Sequence, residues 1–232
     1  MALPKIKQPL FQTEIPSTKQ VVRYRSFTVA EEKLLLIAKE SSEINDIINV
    51  YKQIINNCVV DSIDVDNLTY FDLEYIFLML RSKSVSNIVE LQITDEEDGT
   101  KHNVQLNLDE VRVSEQTVDK LIDIDGTVKV MMQYPPYESL LQLQNAQAEP
   151  SIMLKVIRDC IYQIYEGEEV FEASNYTKSE LDEFVSTLRS KDLLKMQEFF
   201  LDLPRVYAMV KYRNARGEEK EIKLEGMQSF FE

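Results

Sequence analysis

The residues of this chain that could carry out chemistry are one histidine, two cysteines and a set of acidic clusters. Histidine exchanges protons near neutral pH, a cysteine thiolate is a nucleophile, and several carboxylates on one tight loop bind Ca²⁺. The histidine is His102, and the cysteines are Cys58 and Cys160. The acidic clusters are Asp61/Asp64/Asp66, Asp95/Glu96/Glu97/Asp98 and Asp119/Asp123/Asp125. The residue types are therefore present, and their spacing decides whether a site can form.

The histidine and the cysteines do not form a catalytic pattern. His102 stands beside Lys101 at the start of a predicted hairpin strand, which favours a structural or solvent-exposed role. Cys58 and Cys160 each fall in an apolar helical pattern, where cysteine behaves as a small hydrophobic side chain. They lie far apart in sequence and have no histidine nearby. We therefore predict no catalytic residue and no disulfide, and a reducing compartment fits this usage.

The acidic clusters do not match a metal loop. An EF-hand loop starting at Asp123 would place Val128 where glycine is needed, and one starting at Asp64 would place Leu68 at a ligand position. The glycines never cluster, so no phosphate-binding loop can be drawn. We interpret the clusters as solvated turns and predict no metal and no cofactor. With 40 acidic residues, an enzyme that uses scattered carboxylates is left open as an alternative.

The composition is that of a globular protein with an uneven charge. The chain has 232 residues, of which 44% are hydrophobic and 9% aromatic, enough for one large domain or two small ones. Its formal charge of −14 would repel a phosphate backbone, so no nucleic acid is expected as a partner. Residues 1–28 carry a net +4 and the remainder −18. A basic N-terminal segment therefore precedes an acidic body.

Neither a secretion signal nor a membrane segment is predicted. Residues 1–5 lack the continuous apolar core of a signal peptide, and no apolar run approaches the roughly 18 residues that a spanning helix needs. We expect a soluble protein that is made and used in a cytoplasm, with no membrane span.

The first third of the chain reads as an arm, a strand and helices. Residues 1–19 contain three prolines among polar residues, which predicts an extended arm that can reach outward. Residues 20–28 suggest a strand. Thr28 and Glu31 form a capping-box pattern that starts a helix near Val29. Apolar residues at helical spacing between Ile44 and Cys58 predict a second helix.

A nearly all-apolar segment follows and is expected to be the centre of the first core. The pattern predicts a helix over Thr69–Arg81 with Leu73, Ile76, Phe77 and Leu80 on its buried side. Residues 88–94 and 101–108 alternate around Asp98-Gly99, which is typical of a β-hairpin. Residues 127–133 suggest a further strand.

The second half repeats the mixture of helices and strands. An apolar helical face runs from Ile152 to Ile164, and Thr177 with Glu180 forms a capping box that starts a short helix. A helix over 193–201 precedes strands at 206–212 and 219–224. The fold class predicted is α+β, with helices and β-hairpins.

We predict four segments along the chain. These are an extended basic arm and first strand (1–28), a first αβ unit (29–134), a linker (135–150) and a second αβ unit (151–232). The two units carry a suggested helix-plus-hairpin repeat. It pairs Leu73 and Leu80 with Leu194 and Leu201, and Gly99, Val104 and Leu106 with Gly217, Ile222 and Leu224.

Three segments, Leu68–Val85, Phe27–Ala38 and Leu224–Phe231, together resemble the baseplate hub subunit family of T-even-type contractile-tailed bacteriophages. The resemblance implies a non-enzymatic structural subunit or assembly chaperone of the central hub, acting by protein–protein contacts. Implied partners are other hub and tail proteins, with self-association left open. The implied locations are the host cytoplasm during assembly and the virion baseplate. A scaffold or adaptor outside phage tails is the alternative.

Members of that family often carry Cys-x-x-Cys knuckles in hairpins of this kind. The segments Thr94–Gly99 and Tyr212–Gly217 contain no cysteine, so the hairpins here are expected to be held by packing alone. The candidate partner contacts belong to the basic arm and to the apolar C-terminus. They are Lys5, Lys7, Arg23, Arg25, Met227, Phe230 and Phe231.

Overall fold

The computed structural model describes residues 6–40, 44–95, 97, 99–137, 139–140 and 150–230. Its contacts divide the chain into two compact units. Unit 1 combines residues 1–114 with 205–232, and unit 2 comprises residues 115–204. The chain combines helices with small antiparallel sheets, so the predicted α+β class is confirmed.

Unit 1 begins with a β-hairpin. Strand β1 (Leu10–Glu14) pairs antiparallel with β2 (Val21–Arg25), and Ile15 is buried at the turn. The extended conformation predicted for residues 1–19 agrees with β1, but this strand pairs within unit 1 and does not reach outward, while residues 1–5 lie outside the described chain. Prolines exclude a helix, but they are tolerated just outside a short edge strand, where no ladder donor is lost. Pro9 and Pro16 take these positions on either side of β1.

Three helices follow: α1 (Val29–Glu40), α2 (Ile44–Cys58) and α3 (Tyr70–Ser84). Their bounds agree closely with the predicted helices. Helix α3 is buried on nearly every side, and the predicted core residues are all among its buried side chains: Leu73, Ile76, Phe77 and Leu80. Helix α3 is therefore the centre of the unit 1 core.

One carboxylate joins α3 to the N-terminal hairpin. Asp72 is fully buried and accepts hydrogen bonds from the Thr69 amide at 3.2 Å and hydroxyl at 2.6 Å, which completes a capping box. Its other acceptor positions receive the Ser17 amide at 2.9 Å and hydroxyl at 2.5 Å. The helix start and the β1–β2 turn are thus held by the same side chain.

The strands of unit 1 come from both ends of the chain. Strand β3 (Ile88–Thr94) pairs with β4 (Lys101–Asn107), as the alternating pattern predicts. Strand β5 (Arg112–Val113) pairs with β10 (Val206–Arg213), which also pairs with β11 (Glu219–Glu225).

Unit 2 contains a four-stranded antiparallel sheet in the order β6-β7-β8-β9. The strands are β6 (Leu121–Asp123), β7 (Val128–Met132), β8 (Ile161–Glu166) and β9 (Glu169–Glu172). The helices are α4 (Pro150–Asp159), α5 (Lys178–Thr187) and α6 (Ser190–Leu201). No helix in the described ranges is long and apolar enough to cross a membrane.

One predicted helix ends early. The apolar face from Ile152 to Ile164 was predicted to be helical throughout, but α4 stops at Asp159, and Ile161 and Ile164 lie in β8. The segment Ile161–Glu166 is rich in β-branched and aromatic residues, which pack well on a sheet. Because β7 and β9 supply partners on both sides of β8, pairing decides the structure of this short run.

The contacts group the chain differently from the four predicted segments. Strands β10 and β11 belong to unit 1, whereas α6 belongs to unit 2, so the second helix-plus-hairpin pair is not one compact unit. The matched leucines also differ, since Leu73 and Leu80 are buried while Leu194 and Leu201 are exposed. The division of the chain into these four segments stays a prediction.

Candidate protein-docking surface

The two arginines proposed as partner contacts are engaged inside unit 1. Arg23 on β2 binds Asp61 in a fork, with Nη2–Oδ1 at 2.7 Å and Nε–Oδ2 at 3.2 Å. Arg25 places Nη2 at 2.9 Å from Glu31 Oε1 and donates to the Asn57 carbonyl at 3.1 Å. The positive charge of β2 therefore meets acidic groups of the same unit.

Glu31 is the more buried of the two acidic partners. Burial raises the pKa of Glu31, but hydrogen bonds from Arg25 and Thr28 outweigh this, and the pKa is lowered from 4.5 to about 2. The Thr28 amide and hydroxyl donate to Glu31 Oε2 at 2.7 and 2.6 Å, and Thr28 Oγ1 accepts from the Ala30 amide at 3.3 Å, so both predicted side chains cap the start of α1. Glu31 thus caps a helix and neutralises Arg25.

An apolar groove lies beside this hairpin, with a volume of about 1040 Å³. It lies between the beginning of β1, the beginning of α1 and the end of α3. Four exposed aliphatic side chains line it: Ile6 (86% exposed), Val29 (80%), Val85 (61%) and Leu10 (53%). The lining also includes the polar residues Gln8, Arg25, Thr28, Glu32 and Ser84. Several exposed aliphatic side chains gathered at one groove mark a contact site more often than isolated exposed residues do. It is the candidate docking surface of unit 1.

Phe230, one of the predicted C-terminal contacts, is buried rather than available to a partner. Phe230 closes the short 3₁₀ helix Met227–Phe230 and has 0% of its surface exposed. Gly226 allows this turn with φ of +75°, and its amide donates to the Val206 carbonyl at 2.8 Å. Phe230 therefore contributes to the core of unit 1. Phe231 and the side chain of Met227 lie outside the described residues, as does Lys5.

The expectation that packing alone holds the β-hairpins is wrong. The Tyr212 hydroxyl of β10 donates to Asp95 Oδ2 at 3.1 Å, and Lys220 Nζ of β11 lies 2.6 Å from Glu97 Oε1. His102 of β4 packs its ring against Tyr212 with centroids 5.2 Å apart. Polar contacts thus connect the ends of the two hairpins, and His102 has the structural role that was predicted.

Both cysteines are fully buried and free. Burial raises the pKa of Cys58 to about 11, and it raises the pKa of Cys160 further. A thiol with a raised pKa holds little thiolate at neutral pH and is a poor nucleophile. Their predicted role as small core side chains is confirmed.

The acidic clusters stabilise turns and helix starts. Asp64 accepts from the Asp66 amide at 3.2 Å, Asp123 from the Gly126 amide at 2.6 Å, and Asp125 from the Val128 amide at 2.9 Å. In the portions of the chain that are described, no group of three or more His, Cys, Asp or Glu residues could hold a metal ion. Glu96 and Asp98 lie outside those portions.

The groove is the feature that the residue pattern did not reveal. Its aliphatic residues come from three separate segments, and each alone looks like an ordinary surface residue. Val29 and Val85 carried a signal, because each stands at a helix end, outside the buried part of its helix. Among the predicted contacts, Arg25 lines the groove. Lys7 is exposed and stands in the sequence between the lining residues Ile6 and Gln8.

Comparison with known proteins finds one family. No curated protein and no solved structure matches the chain significantly. A family model described as T4 bacteriophage base plate protein matches residues 8–232. That match includes nearly all of both units. The chain therefore belongs to the T4 bacteriophage base plate protein family, and its role is that of a structural protein of a phage baseplate.

Proposed function

We propose that this protein is a non-enzymatic component of the central hub of the baseplate beneath a contractile tail. It acts by protein–protein contacts, either as a structural subunit or as an assembly chaperone. Its partners are other hub and tail proteins. It works in the host cytoplasm during assembly, and a structural subunit would stay in the virion baseplate.

The observation that carries this proposal is the exposed apolar groove of unit 1. Four exposed aliphatic side chains share one surface, and the free energy falls when another protein covers them and removes them from water. The hub assignment is further supported by the resemblance of Leu68–Val85, Phe27–Ala38 and Leu224–Phe231 to hub subunits. Of these, Leu68–Val85 contains α3, the helix on which unit 1 is built.

The alternatives have less support. Membership of a phage baseplate family argues against a scaffold outside phage tails. An enzyme that uses scattered carboxylates would need several of them free in a pocket. Acidic side chains of the described residues instead cap helices, close turns or bind arginine and lysine, as Glu31, Asp123, Asp125, Asp61 and Glu97 do.

Mass spectrometry of purified particles and of the infected-cell lysate separates the two forms of the proposal. A structural subunit should occur in both, whereas a chaperone should occur in the lysate alone. The sheath protein of the same phage is the control for particle recovery.

A phage that lacks the protein tests the hub assignment itself. Infected cells should accumulate peripheral baseplate intermediates without a completed central hub, and infectivity should return when the protein is supplied in trans. Normal yields of infectious particles without the protein would show that the proposed function is wrong.

A further inference from the structure

Strand β1 presents an open hydrogen-bonding edge. The Ile15 amide donates to the Gln20 carbonyl at 2.8 Å, and the register pairs Thr13 with Val22 and Phe11 with Tyr24. In an antiparallel pair, alternate residues exchange both backbone hydrogen bonds with the partner strand. The amides and carbonyls of Phe11 and Thr13 therefore point towards β2. Those of Leu10, Gln12 and Glu14 point away from it.

Backbone hydrogen bonds on the side of β2 that faces away from β1 give the same alternation independently. Arg23 faces Gln12 in the register, and its carbonyl accepts from the Val60 amide at 2.8 Å. Its amide donates to Asp61 at 2.6 Å. Since the backbone of Arg23 bonds away from β1, the backbone of Gln12 must point away from β2. Within the described residues, β1 pairs with β2 alone.

The apolar groove begins at one end of this open edge. Leu10 belongs to both features, because it lines the groove and its backbone points outward. Ile6, Val29 and Val85 form the remainder of the exposed aliphatic lining. A chain that paired with β1 and continued past Leu10 would therefore enter the groove.

We propose that an extended segment of another baseplate protein binds unit 1 as a third strand beside β1 and inserts apolar side chains into the groove. The open edge specifies an extended backbone, and the groove specifies apolar residues at alternating positions. This inference rests on the proposed function, because it identifies the surface and the kind of segment through which the protein joins its partners.

A foreign segment fits better than a second copy of the chain. In the two-fold pairing that uses all three outward-facing residues, Gln12 lies opposite Gln12 and Leu10 lies opposite Glu14 of the second copy. Such a dimer would bring a carboxylate, rather than an apolar side chain, to the groove. Self-pairing is thus the competing outcome of the experiment.

Two variants remove the two features separately. Gln12→Pro deletes the outward amide and places a ring on the edge, while no bond to β2 is lost, because the Gln12 amide makes none. Val85→Asp puts a charge into the groove. The matched control is Val60→Asp, since Val60 is also an exposed valine of unit 1 but lies outside the groove. Thermal unfolding of all three establishes that each is folded.

The probe is a set of short overlapping peptides that cover the baseplate proteins encoded by the same phage. The full-length chain should bind peptides with alternating apolar residues. Affinity for the best peptide should fall by about tenfold or more in Gln12→Pro and in Val85→Asp, and should stay within about twofold in Val60→Asp. Peptide binding should also slow amide exchange at Leu10, Gln12 and Glu14 but not at Phe11 and Thr13, whose amides already bond to β2.

Three results would overturn this inference: no peptide binds, peptide affinity is equal in all variants, or the purified protein dimerises and Gln12→Pro makes it monomeric. These results are independent of the hub assignment. If hub assembly requires the protein but none of the peptides binds, the strand proposal fails and the proposed function stands. If a peptide binds but particles assemble normally without the protein, the proposed function fails.

Discussion

Two buried carboxylates in unit 1 each bind two structural elements at once. Asp72 joins the start of α3 to the turn between β1 and β2, and Glu31 joins the start of α1 to Arg25 on β2. A buried carboxylate that accepts several hydrogen bonds leaves several donors unpaired when it is removed. These two side chains should therefore contribute more than an ordinary helix cap.

Asp72→Ala should destabilise unit 1 by about 2–4 kcal/mol, from a lost cap and unpaired buried donors. The measurement is urea unfolding of the full chain. Glu180→Ala is the matched control, because Glu180 occupies the same capping-box position in α5 but contacts only Thr177 in its own cap. Glu180→Ala should lower the free energy of unfolding by clearly less than Asp72→Ala does. Equal losses would show that the contact of Asp72 with Ser17 adds nothing.

Glu31 should make stability depend on acidic pH. Because its pKa is lowered from 4.5 to about 2 in the folded protein, its contribution is complete above pH 4.5 and is lost as the pH falls towards 2. Glu31→Gln should remove this part of the acid dependence, measured as the unfolding free energy at several pH values. The adjacent exposed Glu32→Gln should retain it. Identical pH profiles for wild type and Glu31→Gln would contradict the assignment.

At the scale of elements, α3 determines the core of unit 1. Phe77 is buried and packs against Tyr51 of α2 with ring centroids 4.4 Å apart. Phe77→Ala should cost about 3–5 kcal/mol through lost burial and a residual cavity. Leu36→Ala on the exposed face of α1 is the control and should stay within about 0.5 kcal/mol. A loss below about 1 kcal/mol for Phe77→Ala would show that Phe77 does not lie on the buried face of α3.

Local sequence signals predicted the elements whose pattern is long or whose ends are chemically marked. Helix α5 starts at a capping box, α1 starts at caps from Thr28 and Glu31, and the β3–β4 hairpin alternates over seven residues in each strand. The sequence does not reveal β1, because prolines flank a run of five residues of which three are polar. It favours a helix for β8, because a short apolar run fits both periods. The groove could not be predicted, since surface neighbours from distant segments leave no local pattern.

At the scale of the whole molecule, unit 1 is discontinuous in sequence and unit 2 is continuous. A fragment of residues 115–204 should therefore unfold cooperatively on its own, as measured by circular dichroism. The fragment 151–232 is the comparison. It should not fold, because it separates β8 from β7 and β10 from β5. Cooperative unfolding of the second fragment alone would favour the four-segment division instead.

The C-terminal segment should stabilise the isolated protein, because Phe230 is fully buried in unit 1. Truncation after Glu225 should lower the melting temperature, and Phe230→Ala should cost about 3 kcal/mol or more. Met209→Ala on the exposed side of β10 is the control. An unchanged melting temperature together with failed assembly would instead mean that the segment anchors a partner.

The division of unit 1 between the two ends of the chain sets an order for biosynthesis. Unit 2 is synthesised as one uninterrupted stretch and can fold while translation continues. Unit 1 is completed only after β10 and β11 have been synthesised, and both strands follow unit 2 in the chain. The nascent chain therefore carries an incomplete unit 1 throughout the synthesis of unit 2, so a partner that recognises the completed unit 1 can bind only after that stage.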